Sequence, residues 1–411
     1  MTELLTLDDL FAGGTLAGRR VFLRVDFNVP LSAQGEVGDV TRLEEALPTI
    51  RELQAAGARL LLASHAGRPK DVPDARYSLR PVAAKLAELL GSPVDFAADC
   101  VGEPAERAAA ALAPGGVALL ENLRFHGGEK KNDPAFGAQL AALAECYVDD
   151  AFGSAHRAHA SVVGVPERLP RKAAGRLLVR EVEALSRLLG EPERPFAAIL
   201  GGAKIEGKID TLENLLPRLD LLLVGGGMAN TFLAAQGLDL ADSLVERDRL
   251  EVAREILARA AARGIEVLLP VDLVVTDDLD RRGRVETVTP GSGGSGSAGN
   301  GAVPPGMKAV DVGPATREAF AAAVGRARTL FWNGPLGVFE KPPFDAGTRA
   351  VAQALAACPG FSVIGGGETV AAARQAGVLD RIGHVSTGGG ASLEFLAGKV
   401  LPGVAALERP R

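Results

Sequence analysis

Cysteine is scarce in this chain: its 411 residues include only Cys100, Cys146 and Cys358. An odd number of widely spaced thiols without a Cys-x-x-Cys pair argues against a disulfide framework or zinc module and fits reduced, buried side chains. Positive charge is also in short supply. A net charge of −6 excludes the broad basic footprint on which nucleic-acid affinity rests, so any anion site must be local. Apolar runs are short, and none approaches the ~20 residues that a spanning helix requires. The N-terminus, Met1 to Leu10, carries acidic residues where a secretory signal would carry basic ones. These shortages lead us to expect a cytoplasmic protein that binds neither membrane nor nucleic acid.

What the chain has in quantity is length, alternation and glycine. At 411 residues it exceeds the size at which a single core stops growing, so two domains of about 200 residues are expected. Short apolar runs at Val21–Val25, Arg59–Ser64, Val117–Leu120 and Cys146–Asp149 alternate with helical segments at Thr41–Ala56 and Ser78–Leu90, with Gly57 and Gly91 as helix stops. The second half repeats the pattern at Phe196–Leu200, Asp220–Val224, Val267–Leu269, Thr329–Trp332 and Phe361–Ile364. Alternating βα units imply two α/β domains, each a doubly wound, Rossmann-like parallel sheet. The boundary falls between Pro166 and Pro195, where an amphipathic segment from Lys172 to Leu189 reads as a hinge helix. Expected domains are therefore residues 1–171 and a second one from residue 190 onward. The Gly/Ser tract Gly291–Gly301 reads as a flexible surface loop.

The 50 glycines make up about 12% of the chain against a usual ~7%, and they cluster after predicted strands of the second half. Leu200–Lys204, Val224–Met228, Trp332–Pro335, Ile364–Glu368 and Ser386–Gly390 all sit at strand-to-helix junctions. Those carboxyl-terminal edges form the ligand crevice of an open α/β sheet, where glycine lets backbone N–H groups and helix N-termini approach phosphate oxygens. A nucleotide site follows. Two motifs are discounted. Gly202–Lys208 has P-loop spacing, but Ile209 stands where a hydroxyl should meet magnesium, and Gly225–Asn230 lacks the third glycine of a dinucleotide fingerprint.

The first half instead carries arginines at strand ends: Arg42, Arg68, Arg124 and Arg157. Their shared placement puts them on one rim of one sheet, where guanidinium forks suit phosphate or carboxylate. Asp26 and Asn28 lie at the same edge and could orient a substrate hydroxyl. His65, His156 and His159 have poor spacing for zinc, so phosphate contact or packing is the expected role.

Seven segments together resemble the phosphoglycerate kinase family: Arg24–Pro30, Ser64–Pro69, Glu121–Phe125, Asp150–His159, Gly201–Lys204, Trp332–Glu340 and Ser386–Gly390. The match runs in order from about residue 20 to residue 404. The resemblance implies that Asp26, Asn28, Arg42, His65, Arg68, Arg124 and Arg157 bind 3-phosphoglycerate on the N-terminal domain. It implies that Lys204, Lys208, Asn333, Glu340, Gly366, Gly367, Glu368 and Thr369 bind ATP or ADP, that Arg42, Lys204, Gly367 and Gly390 serve the transferring group, and that the enzyme is a monomer. It also implies magnesium as MgATP or MgADP, held by Glu368, a second domain that spans residues 190–390, and a tail, residues 391–411, that returns to the first domain. Departures are Glu368 where the family usually has Asp, Asp149 where Asn is usual, Ala66 for a common leucine, and the Gly/Ser tract.

A carboxylate is already ionised at neutral pH and attacks the γ-phosphorus of ATP without a general base. The implied reaction, giving ADP and 1,3-bisphosphoglycerate, needs neutralisation of two repelling anions and in-line positioning instead, with closure of the domains on each other. A nicotinamide-dependent oxidoreductase and a non-catalytic phosphoprotein-binding module stay open as alternatives at this point.

Overall fold

The computed structural model describes residues 3–32, 35–280, 283–290 and 303–409; the Gly/Ser tract lies outside them. The chain divides into two compact units, Met1–Glu183 with Val400–Arg411, and Ala184–Lys399. The first is built on six strands: β1 Arg20–Arg24, β2 Arg59–Ala63, β3 Asp95–Ala97, β4 Val117–Leu120, β5 Cys146–Asp149 and β6 Lys172–Ala174. Their order is β3-β4-β2-β1-β5-β6, and every pairing is parallel. All six carboxyl ends therefore share one edge. The strands are apolar on both faces because helices cover both. Helix Thr41–Ala55 places Leu43, Leu47, Ile50 and Leu53 in one core with Val21, Leu23, Leu60 and Leu62. Each such side chain contributes about 1.5–3 kcal/mol of hydrophobic stabilisation.

The second unit repeats the plan with β7 Phe196–Leu200, β8 Leu221–Val224, β9 Glu266–Leu268, then β13 Thr329–Asn333, β14 Phe361–Gly365 and β15 His384–Val385. Their order is β15-β14-β13-β7-β8-β9, again wholly parallel. Inserted between β9 and β13 is an antiparallel sheet of β10 Leu273–Thr276, β11 Val285–Val288 and β12 Lys308–Val312. Sequence reading missed it, since these short strands lack a sustained alternation. Among the described residues no helix is long and apolar enough to cross a membrane.

Three expected boundaries need correction. Residues 172–174 are not the first turn of the hinge helix but edge strand β6, and the helix runs Arg176–Leu189. Buried groups around its start account for the break: Asp150 Oδ1 accepts from the N–H groups of Leu177 and Leu178 at 2.8 and 3.1 Å, and Thr49 Oγ1 accepts from Arg176 N at 2.8 Å. The chain tail joins the first unit at Val400, later than residue 391. Residues 390–396 form a helix held in the second unit, where Leu393 and Leu396 carbonyls accept from Thr211 and Asn214. The helix expected from Ser78 starts at Arg80.

Candidate active site

At the carboxyl edge of the first sheet, β1 ends in a fully buried arginine. Arg24 donates from Nε to Ser161 Oγ at 3.0 Å, from Nη2 to Ser154 Oγ at 3.2 Å and to His65 Nδ1 at 3.2 Å, and from Nη1 to the Val25 carbonyl. Ser161 in turn donates to Glu129, itself fully buried, through Oγ at 2.6 Å and N at 3.0 Å. A charge can stay in this interior because it is paired and hydrogen-bonded. Sequence reading passed over Arg24 and Glu129; the one available signal was a charge inside the apolar run of β1.

Because Arg24 donates to Nδ1 of His65, the imidazole is the neutral form with its proton on Nε2. Burial drives its pKa well below the ordinary value; Asp26 opposes, while Arg24, Arg124 and Arg42 add to the effect. Asp26 accepts from Arg42 Nη1 at 2.6 Å. Burial would raise the Asp26 pKa, but the facing Arg42 and nearby Arg24 outweigh it and keep the carboxyl ionised. Asn28 Oδ1 accepts from Gly67 N at 2.8 Å and so fixes the loop after β2. Arg124 donates to the Gly67 carbonyl at 2.7 Å; burial, then Arg157 and Arg24, lower its pKa to about 10, so it stays charged. Its buried Nε has no hydrogen-bond partner among the described residues, a donor left over for an anion. Arg68 and Arg157 are exposed, the latter touching His156 Nε2 at 3.1 Å. His159 is buried and neutral, its pKa lowered to about 3 by burial and the surrounding arginines. The edge thus gathers cations around two neutral imidazoles and the ionised carboxylate of Asp26.

The second unit builds its edge from backbone. All five glycine clusters do follow strands, namely β7, β8, β13, β14 and β15. Their loops are cross-bonded: Gly202 N donates to the Pro335 carbonyl at 2.6 Å, Met228 N to Gly202 O at 3.0 Å, and Gly226 N to Leu336 O at 3.0 Å. A Cβ on Gly201 would collide with the Pro335 carbonyl oxygen, and one on Gly334, whose φ is +96°, with the backbone of Gly201; both positions need glycine. Thr369 is buried, its hydroxyl accepting from Gly334 N at 2.7 Å, and Asn333 donates to the Gly365 carbonyl at 2.8 Å. These two therefore shape the loops. Lys208 Nζ donates to the Gly201 carbonyl; burial lowers its pKa, while Glu368 and Glu246 pull the other way. Lys204, Gly367, Glu368 and Glu340 are exposed, with Gly366 beside them and Gly390 opening the helix after β15.

A pocket of about 220 Å³ opens here, lined by Gly202, Gly226, Gly227, Leu244, Val338 and Glu340, with Glu368 at its margin. One wall comes from the inserted sheet through Val310 and Asp311. Asp311 accepts from Gly347 N and Val312 N, both at 2.8 Å, and burial pushes its pKa up to about 7. A largely apolar slot between glycine loops, with Glu340, Glu368 and Asp311 in its lining, suits a nucleoside with its phosphates against backbone N–H groups.

Comparison with known proteins converges on one family. The family model for phosphoglycerate kinase matches residues 8–399. A phosphoglycerate kinase of Desulforudis audaxviator is 54% identical over 393 residues, covering 96% of this chain and 97% of its own. That of Thermus thermophilus is 55% identical over 394 residues, covering 95% and 97%. The structure of phosphoglycerate kinase from Coxiella burnetii superposes with a TM-score of 0.85 at 39% identity, covering 98% of this chain and 99% of that one. The one from Pyrococcus horikoshii reaches 0.84 at 34% identity, covering 98% of both.

Proposed function

This chain belongs to the phosphoglycerate kinase family and transfers a phosphoryl group between ATP and 3-phosphoglycerate in glycolysis, and from that premise we propose a division of labour between its two units. The oxidoreductase and binding-module alternatives are set aside. Residues 1–171 take 3-phosphoglycerate, residues 190–390 take the nucleotide, and the helix Arg176–Leu189 that links them serves as the hinge. The observation that carries this reading is the contrast in building material: an arginine-wired edge in one unit and a glycine-lined pocket in the other.

In this reading Arg68, Arg124 and Arg157 hold the phosphate of 3-phosphoglycerate, while Asp26 accepts from its hydroxyl and Asn28 and His65 keep the surrounding loops in place. The acceptor carboxylate needs no base, and the two neutral imidazoles, each depressed in pKa by burial and then by arginines, agree with that. Arg42, set by Asp26, and Lys204 neutralise the transferring group, while Gly367 and Gly390 offer N–H groups at helix starts. Magnesium arrives with the nucleotide and adds positive charge at the phosphates. Glu368, in the first turn of helix Gly367–Gln375, has the hard oxygen donors to hold it. The proposal extends to a cytoplasmic monomer.

The test is a crossed pair of variants read by calorimetric titration. Arg68→Ala should weaken 3-phosphoglycerate binding by the ~1.5–3 kcal/mol of a charged hydrogen bond and leave MgATP binding unchanged. Glu340→Ala should do the reverse. Loss of both affinities in either variant would overturn the division.

A further inference from the structure

Next to the first edge, the loop after β3 and the turn after β4 bring together three side chains of different donor chemistry. Asp99, Cys100 and His126 each offer one ligand atom, and these atoms all lie within 4.8 Å of one another. His126 Nε2 stands 2.7 Å from Asp99 Oδ1, which also accepts from Cys100 N at 2.6 Å. Cys100 is fully buried, whereas the side chains of Asp99 and His126 are 42% and 33% exposed. The thiol is thus buried beside two partly exposed polar side chains. We propose that Asp99, Cys100 and His126 form a binding site for a borderline-soft divalent cation of the zinc class.

Bonds of about 2.0–2.3 Å in tetrahedral geometry place donors roughly 3.3–3.8 Å apart, so on binding the His–Asp contact of 2.7 Å widens and any pair near the 4.8 Å limit draws together. A thiolate and an imidazole select zinc, cobalt or copper over magnesium and calcium, which take oxygen. On binding, the Cys100 thiol gives its proton to solvent. Thiolate and carboxylate then balance the ion's two charges, and water fills the fourth position on the open side. His126 is braced by stacking on Phe136, with ring centroids 5.3 Å apart and planes at 25°. Its backbone N–H closes the Leu123–Phe125 turn, donating to Leu123 O at 3.2 Å. An ion here ties the β3 loop to the turn that carries Arg124.

The experiment is a titration of the purified full-length protein with Co2+ alone, followed by absorption spectroscopy. One equivalent should produce the intense visible bands of tetrahedral cobalt together with a near-ultraviolet thiolate charge-transfer band, and Zn2+ should abolish both. His126→Asn and Asp99→Asn, at half-exposed positions that tolerate change, should weaken binding by more than the roughly 10–100-fold that losing an outer-shell partner costs. Cys100→Ser should remove the charge-transfer band. Weak octahedral bands only, or a spectrum and affinity unchanged in His126→Asn, would overturn the proposal.

Discussion

The carboxyl edges of the two parallel sheets have the same topological origin and opposite composition. On the first, guanidinium groups are held by side chains: Arg24 by Ser154, Ser161 and His65, Arg42 by Asp26. On the second, carbonyl and N–H groups of neighbouring loops hold one another, and side chains such as Thr369 and Asn333 buttress the backbone. The difference matches the ligands proposed for each edge. A small acid with two anionic ends is recognised by discrete charges at fixed points, whereas a nucleotide presents a polyphosphate chain and a flat base that the backbone can follow closely. It also sets what each edge tolerates: the first is sensitive to loss of a charge, the second to gain of an atom.

Four substitutions sharpen or break this contrast. Arg42→Ala should reduce turnover by about 10³-fold or more, on the scale of arginines that meet a transferring phosphoryl group, with 3-phosphoglycerate binding partly retained. The readout is NADH loss in a coupled dehydrogenase assay, and a near-normal rate would take Arg42 out of the mechanism. Gly201→Ala adds a methyl against the Pro335 carbonyl; at the ~1–3 kcal/mol of an overpacked site, MgATP affinity should fall while that for 3-phosphoglycerate holds. Equal loss of both would show a general unfolding instead.

Asp150 tests the cost of building an edge from buried charge. Burial raises its pKa from 3.8 to about 7, against hydrogen bonds from Thr49 and from the Leu178 and Leu177 N–H groups. The folded state therefore holds the proton more tightly than the unfolded chain. This contribution is greatest at low pH and is lost as pH rises from about 4 through about 7. Asp150→Asn keeps the acceptor oxygen without the charge. Its urea midpoint should exceed that of the unsubstituted protein at pH 8, by ~1 kcal/mol or more in stability, and the gap should close towards pH 4. A gap independent of pH would refute the assignment. The smallest effect belongs to Glu368→Asp, where the carboxylate remains on a shorter arm; the KM for MgATP should move by less than about tenfold, or ~1.4 kcal/mol.

Much of the second edge was legible in the chain because its signal is local. A βα turn that must pass close to its neighbours needs glycine at that very position, so Gly201, Gly334 and Gly366 announce the loop in which they stand. The arginines of the first edge were legible by type and by place after a strand. Asn28, Asn333 and Thr369 stand at the edges where the sequence placed them, and there they hydrogen-bond to loop backbone. The hinge start was misplaced because the strand Lys172–Ala174 ends against a cap supplied by Thr49 and Asp150, both far earlier in the chain.

By itself, then, the sequence determined the alternation of strand and helix, two parallel sheets, and which loops need glycine to pass close to their neighbours. These follow from residue-by-residue backbone preference and apolar periodicity. Tertiary structure alone decided the wiring beneath the first edge and the Asp99–Cys100–His126 cluster. Arg24 meets His65 and Ser161 at separations of 41 and 137 residues, and Ser161 meets Glu129 at 32. Such partners become neighbours only when strand order places β2 and β5 on either side of β1, and no local preference of the chain encodes that order.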